Sequence, residues 1–210
     1  SLLALKRNYT IFLDISGSMA LEDVPDESRN STHFISRFQG ALYGVHQFFD
    51  KLLALGKNNQ IEIIAFNEHI FQQSINSKEQ LTRFTNNLIV GGGTLLAPAL
   101  AIAKKKFFQQ NWNSSSFSPH MMIIIGDGCP SDENAVIHEL VDAANQLYNK
   151  QGKDEQLAFT FIQIGSDSNA TKFLKSLDDN LQPKYGAPFD LVDTKEWKTV
   201  LKDGFSKTIT

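Results

Sequence analysis

Residues 9–18 read YTIFLDISGS, and this stretch decides the fold class. A short, mostly apolar run ends at a carboxylate and is followed by a Ser-Gly-Ser turn. Nearly continuous hydrophobicity over so few residues is typical of a strand that is buried on both faces of a parallel sheet. We therefore predict a buried strand over residues 9–13, with polar side chains gathered at its carboxyl end.

Three other segments repeat this apolar pattern between polar or glycine residues. They predict buried strands over residues 61–66, 121–125 and 158–164. Two less regular segments predict further strands: residues 69–75 as an antiparallel edge strand, and residues 189–192 as the last strand of the sheet.

Helical patterns lie between the predicted strands. In residues 34–55 the apolar positions recur at spacings of three and four, and similar patterns predict helices over residues 94–108, 134–148, 170–177 and 195–205. Alternating strands and helices imply right-handed crossovers and a sheet covered on both faces. We predict a doubly wound, Rossmann-like α/β fold, a three-layer sandwich with a mostly parallel central sheet and one antiparallel edge strand. No linker divides the chain, so residues 1–210 are predicted to form a single domain.

Composition excludes several classes of function. The chain has 210 residues, of which 41% are hydrophobic and 20% charged, as in ordinary folded domains. A net charge of -3 gives no basic field, and the densest cationic run, residues 104–106, lies inside a predicted helix, so nucleic-acid binding is disfavoured. The apolar runs are shorter than the roughly 20 residues of a membrane helix. We expect a monomer that neither binds nucleic acid nor inserts into a membrane.

Cysteine usage bears on the cellular compartment. Cys129 is the only cysteine, which leaves no internal disulfide and favours a cytoplasmic location. Four Asn-x-Ser/Thr sequons, at Asn8, Asn30, Asn113 and Asn169, point the other way, although such triplets arise by chance in a sequence rich in Asn and Ser. The Cys129 thiol is interpreted as inert rather than redox-active.

Oxygen-bearing side chains follow the first predicted strand at alternate positions. Residues two apart in extended backbone project to the same side, so Asp14, Ser16 and Ser18 can converge. Thr94, which follows three glycines, and Asp127, which follows the strand over 121–125, are predicted at the same carboxyl edge of the sheet. Carboxylate and hydroxyl oxygens suit a hard cation such as Mg²⁺ better than zinc. These five residues are the predicted metal ligands.

The order Asp-x-Ser-x-Ser, Thr after a glycine run, and Asp between a strand and a glycine resembles the metal-ion-dependent adhesion site of von Willebrand factor A (vWA) domains. The resemblance covers nearly the whole sequence. Its final strand-helix-strand unit looks like that of stand-alone intracellular bacterial and fungal members, through Gly165, Phe173, Leu174, Leu177, Asp178, Asp190, Asp193 and Thr194.

This resemblance implies a function. Such sites in the family coordinate Mg²⁺ or Mn²⁺, partly through water, and an acidic side chain of a partner protein completes the metal shell. Two carboxylates can at most neutralise a dication, and hydroxyls add no charge, so a partner carboxylate meets a metal that still attracts it. The expected function is divalent-metal-dependent protein binding, without enzymatic activity.

Two alternatives belong to other classes. One is a structural or scaffolding vWA domain of a larger protein or complex, which does not use the metal to capture a partner. The other is a metal-dependent hydrolase. A haloacid-dehalogenase-type phosphatase needs a second Asp where Ser16 stands, and neither a Gly-x-Ser-x-Gly nucleophile elbow nor a phosphate-binding glycine motif occurs.

An acidic loop follows the first motif. Residues 19–33 separate Ser18 from the next predicted helix and carry Glu22, Asp23, Asp26 and Glu27. The loop is interpreted either as a solvated surface insertion or as a segment that folds over the metal and lends it a carboxylate.

Overall fold

A six-stranded sheet forms the centre of the protein, whose computed structural model describes residues 7–26, 32–56, 61–204 and 207. The strand order is β5-β4-β1-β6-β7-β8, and every neighbouring pair is parallel except β4 and β5. Its strands are β1 (Asn8–Asp14), β4 (Ile61–Phe66), β5 (Ile70–Ile75), β6 (His120–Gly126), β7 (Leu157–Gln163) and β8 (Val192–Glu196). The predicted parallel sheet with one antiparallel edge strand is confirmed.

Helices cover both faces of this sheet. They are α1 (Arg37–Ala54), α2 (Lys78–Asn86), α3 (Ala97–Phe108), α4 (Glu133–Asn149), α5 (Ser168–Asn180) and α6 (Trp197–Asp203). Side chains of α1, α2 and α6 belong to one hydrophobic cluster, and those of α3, α4 and α5 to a second cluster. The two clusters form the two sides of a three-layer sandwich, and the doubly wound α/β class is therefore confirmed.

Strand β1 shows why the apolar runs are continuous. Tyr9, Ile11 and Leu13 enter the first cluster, whereas Phe12 enters the second. Successive side chains of a strand point to opposite faces, so a strand covered on both faces must be apolar at nearly every position. This pattern made the central strands recognisable in the sequence.

Helix α1 begins three residues later than its apolar spacing predicts. Ser36 caps the helix: its hydroxyl accepts a hydrogen bond from the Gln39 N–H at 3.0 Å, and the Gln39 side chain accepts one from the Ser36 N–H at 3.0 Å. This reciprocal capping box fixes Arg37 as the first helical residue. Phe34, predicted as the start of the helix, lies instead on β3 (Phe34–Ile35), which pairs with β2 (Val24–Pro25).

The end of the chain also differs from the prediction. The last strand is β8, Val192–Glu196, rather than residues 189–192. Most of β8 is polar, and it is tied to α5 because the N–H and the hydroxyl of Thr194 each donate to an Asp178 carboxylate oxygen at 2.9 Å. An edge strand held by polar contacts has no apolar run to reveal it. Lys195, predicted as helical, therefore lies on β8, and the predicted helix end at residue 205 falls outside the described residues.

Helix α2 was absent from the sequence prediction. Ser77 caps it by accepting a hydrogen bond from the Gln80 N–H at 3.2 Å, and Leu81 and Thr85 are its buried residues. The helix is short and mostly polar, with two buried residues in nine, so few apolar side chains mark it in the sequence. Across residues 7–26, 32–56 and 61–204, none of the helices has the length and apolar character needed to cross a membrane.

The cationic run of α3 has one buried and two exposed side chains. Lys104 is buried, and its ammonium contacts Glu139 and lies 2.5 Å from an Asp142 oxygen, both on α4. Lys105 and Lys106 are exposed. Lys104 therefore joins two helices that cover the same face of the sheet, while its neighbours are solvated.

Lys104→Met is expected to lower the free energy of unfolding by about 2 kcal/mol, because it leaves two carboxylates facing each other without their cation. The loss stays below that of a fully buried pair, since the Glu139 and Asp142 side chains are 20% and 39% exposed. Urea unfolding measures the change. Lys105→Met is the matched control, and equal stability of the two variants would contradict the role given to Lys104.

Candidate metal site

Two carboxylates meet where β1 and β6 end. Asp14 is the last residue of β1, and Asp127 directly follows the last residue of β6. The two strands are parallel neighbours, with Leu13 paired to Ile125, so their carboxyl ends lie side by side. Asp14 is only 2% exposed and Asp127 only 4%.

The loop after β1 adds two hydroxyls to these carboxylates. The Ser16 N–H donates to Asp14 Oδ1 at 2.8 Å, which folds the chain back over the carboxylate. Ser16 Oγ lies 3.3 Å from Ser18 Oγ, and the Ser18 hydroxyl donates to Asp127 Oδ2. Asp14, Ser16, Ser18 and Asp127 thus form one continuous hydrogen-bonded cluster.

The glycine loop before α3 is held against the first loop by backbone hydrogen bonds. The Gly91 N–H donates to the Ile15 carbonyl at 2.9 Å, and the Gly17 N–H donates to the Gly92 carbonyl at 3.0 Å. Thr94, two residues further on, lines the same cavity as Asp14. Helix α3 begins at Ala97 rather than at the predicted residue 94. All five predicted site residues therefore lie at one edge of the sheet, with Thr94 on the cavity wall rather than in the hydrogen-bonded cluster.

Gly126 gives Asp14 its space. A Cβ at this position would lie 2.7 Å from Asp14 Oδ2 and 2.8 Å from Asp14 Cβ. Those distances are too short for a side chain at this position, so the packing of Asp14 against β6 depends on a glycine there. The Gly-Asp-Gly triplet places this glycine in the sequence, but its role depends on the packing of β6 against Asp14 of β1.

Charge in the cluster is unbalanced. Burial raises the pKa of Asp14 to about 6, and repulsion from Asp127 adds to this, while the hydrogen bonds from Ser16 act in the opposite direction. A bound cation would offset both the burial of the Asp14 charge and its repulsion from Asp127. Carboxylate and hydroxyl oxygens are the donors that Mg²⁺ and Mn²⁺ take, so the side chains present fit such an ion.

An arginine that the sequence prediction missed lies beside the cluster. The Arg37 side chain is 10% exposed, and its Nη1 is 3.9 Å from Asp127 Oδ2. Its Nε and Nη2 donate to the carboxylate of Asp23 at 2.9 and 2.7 Å. Asp23 belongs to the acidic loop, and Glu27 of that loop lies outside the described residues. The carboxylate of Asp23 thus binds Arg37, which in turn faces the predicted ligand Asp127.

Sequence comparison identifies the family. The family model for the von Willebrand factor type A domain matches residues 10–201, which is most of the chain. The chain belongs to this family. No curated protein matches this vWA domain significantly in sequence.

Solved structures share the vWA fold at low sequence identity. The SpRpn10 VWA domain has a TM-score of 0.62 at 13% identity, covering 97% of this chain and 98% of that one. BatB from Bacteroides thetaiotaomicron has a TM-score of 0.55 at 20% identity, covering 76% of this chain and 67% of that one. Manganese-loaded TRAP protein from Plasmodium vivax has a TM-score of 0.54 at 14% identity, covering 97% of this chain and 74% of that one. At such identities the likeness concerns the fold.

Proposed function

We propose that this vWA domain is a protein-binding domain that depends on a divalent metal ion, Mg²⁺ or Mn²⁺. Asp14, Ser16, Ser18, Thr94 and Asp127 would hold the ion, directly or through water. The observation that carries the proposal is the hydrogen-bonded cluster of Ser16 and Ser18 with the two buried carboxylates of Asp14 and Asp127, with Thr94 on the wall of the same cavity. A protein of similar fold, the TRAP protein of Plasmodium vivax, was solved loaded with manganese.

The charge of the donor set supports capture of an acidic partner. Asp14 and Asp127 supply two negative charges, and the hydroxyls of Ser16 and Ser18 supply none. When bound, the metal would offer a positive centre to a carboxylate oxygen of the partner. A site with more carboxylates would repel that group, so the hydroxyl-rich set favours an anionic ligand.

No catalytic step is part of this proposal. Ser16 occupies the position where a phosphatase of the aspartate-nucleophile type needs its acid/base, and its N–H is engaged with Asp14 Oδ1. A phosphatase and esterase screen with Mg²⁺ and Mn²⁺ is expected to be negative. The single-domain extent over residues 1–210, the monomeric state and the cytoplasmic location stay predictions.

Mg²⁺ is expected to stabilise the protein against heat. A ligand that binds only the native state at a hundredfold excess over Kd adds about 2.7 kcal/mol, which raises Tm by about 5 to 10 °C for a domain of this size. Isothermal titration and thermal unfolding, with and without EDTA, measure the effect. Ser16→Ala should lose most of the shift, whereas Ser115→Ala, at an exposed loop position, should keep it.

Partner capture is tested with the same variants. Immobilised wild-type protein and both serine variants are incubated with extract in Mg²⁺ or in EDTA. The proposal expects a bound protein that needs both Mg²⁺ and Ser16. A partner that binds equally in EDTA and to Ser16→Ala would instead support the scaffolding alternative.

A further inference from the structure

The Arg37 guanidinium stands between the acidic loop and the metal site. Nε and Nη2, along one edge of the group, are both engaged by Asp23, with Nη2 to Oδ2 at 2.7 Å. The remaining nitrogen, Nη1, faces Asp127 Oδ2 at 3.9 Å, which is an ion-pair distance without a hydrogen bond. One cation is therefore shared unequally between a loop carboxylate and a predicted metal ligand.

The guanidinium packs against a glycine. Gly165, at φ +88, leaves the space it occupies, since a Cβ there would lie 2.7 Å from Arg37 Cζ. The Asp23 side chain is 43% exposed, in contrast to the buried Arg37. Hydrogen bonds from Arg37 lower the pKa of Asp23, so Asp23 is ionised at neutral pH. The acidic loop therefore places the ionised Asp23 carboxylate against Nε and Nη2 of the buried Arg37 guanidinium.

We propose that Asp23 and Arg37 tune the affinity of the site for its divalent cation, without either residue binding the ion. Arg37 lowers that affinity, because its positive charge lies beside Asp127 and competes for this carboxylate. Asp23 raises the affinity again, because its carboxylate neutralises Arg37. It also holds Nε and Nη2 of Arg37 away from Asp127. The inference rests on the proposed metal binding and adds its regulation by the acidic loop.

The two residues therefore have opposite expected effects. Asp23→Asn removes the carboxylate that hydrogen-bonds the guanidinium, which leaves Asp127 and Asp167 to balance its charge and frees it to turn toward Asp127, so the site should bind Mg²⁺ more weakly. Arg37→Gln removes the competing cation and leaves the negative charge of Asp23 nearby, so the site should bind Mg²⁺ more tightly. A unit charge several ångströms from a dication at a solvated edge changes affinity about fivefold.

The experiment is a double-mutant cycle on the full chain, read by calorimetric titration with Mg²⁺ alone at low salt. The variants are Asp23→Asn, Arg37→Gln and the double variant. Asp50→Asn is the matched control: Asp50 pairs with Lys78 on the surface, and it lies on α1 about 20 Å from Arg37 along the helix. Circular dichroism establishes that each variant is folded.

The expected result is an affinity about fivefold weaker for Asp23→Asn and about fivefold tighter for Arg37→Gln. The double variant should return to within about twofold of wild type, because the two charges cancel. If Arg37→Gln fails to fold, the salt dependence of the Asp23→Asn variant decides, because a charge effect on Mg²⁺ affinity shrinks at high salt whereas the loss of a structural brace does not.

Three outcomes are informative: two would overturn the inference, and one would overturn the function on which it rests. A wild-type protein that binds Mg²⁺, with Asp23→Asn no weaker than Asp50→Asn, would overturn the tuning role. Weaker binding in both single variants would do so as well, because a purely structural brace loses function whichever half is removed. A wild-type protein that takes up no Mg²⁺ would overturn the proposed function itself.

Discussion

Asp14→Asn is expected to lower Mg²⁺ affinity at least a hundredfold while the protein stays folded. The substitution keeps the shape of the side chain and an oxygen for the Ser16 N–H, which now donates to Oδ1 at 2.8 Å. It removes one of the two buried negative charges at the site. Calorimetric titration with Mg²⁺ measures the loss, and Asp50→Asn controls for removal of a carboxylate on the surface.

Without metal, the same substitution should stabilise the protein. The Asp14 carboxylate is 2% exposed, and burial, with repulsion from Asp127, raises its pKa from 3.8 to about 6. A raised pKa means that the native state holds the ionised form at a cost, which at pH 7.5 amounts to about 1 to 3 kcal/mol. Urea unfolding in EDTA should show this gain in the free energy of unfolding.

The binding result decides the role of Asp14. An Mg²⁺ affinity of Asp14→Asn within threefold of wild type would overturn the assignment of Asp14 as a ligand.

Gly126→Ala is expected to damage both the fold and the site. The new methyl carbon would lie 2.8 Å from Asp14 Cβ, and Asp14 cannot retreat because Leu13 and Ile125 hold β1 and β6 in register. Forcing a methyl group into such packing costs about 1 to 3 kcal/mol. The Asp14 carboxylate is also within 2.7 Å of that carbon and must turn aside, so Mg²⁺ affinity should fall at least tenfold.

Gly91→Ala is the matched control for this effect. Gly91 belongs to the glycine loop of the same site, yet a Cβ there would meet nothing within 4 Å. Its N–H would still reach the Ile15 carbonyl. Urea unfolding and Mg²⁺ titration of the two variants give the comparison. Equal stability and equal affinity would show that Asp14 is not packed against β6.

The central sheet could be predicted from the sequence because its strands are buried on both faces. Ile61–Phe66 was predicted to the residue, and the other central strands to within one residue at each end. A strand or helix that is held mainly by polar contacts has no apolar pattern from which it could be predicted. Strand β8 is mostly polar and is tied to α5 through Thr194 and Asp178, and α2 is a short, mostly polar helix with two buried residues, so neither contains an apolar run.

In the candidate site too, the residues that follow a rule of local or sheet geometry could be predicted, and the residue placed by a loop could not. Asp14, Ser16 and Ser18 could be grouped because alternation in extended backbone is a local rule. Asp127 could be added because parallel strands share a carboxyl edge. Arg37 follows no such rule: its contacts with Asp23 and Asp127 depend on how the acidic loop returns to α1, and loop paths have no periodicity to be read.

The wide separation of the site residues along the chain has a consequence during synthesis. Ser18 and Asp127, which share a hydrogen bond, are 109 residues apart. A nascent chain that has emerged only as far as Thr94 carries four of the five predicted ligands but lacks β6, which sets Asp127 beside Asp14. On the proposed metal binding, the ion could therefore not guide the early steps of folding on the ribosome. It could stabilise only a chain in which β1 and β6 have already paired.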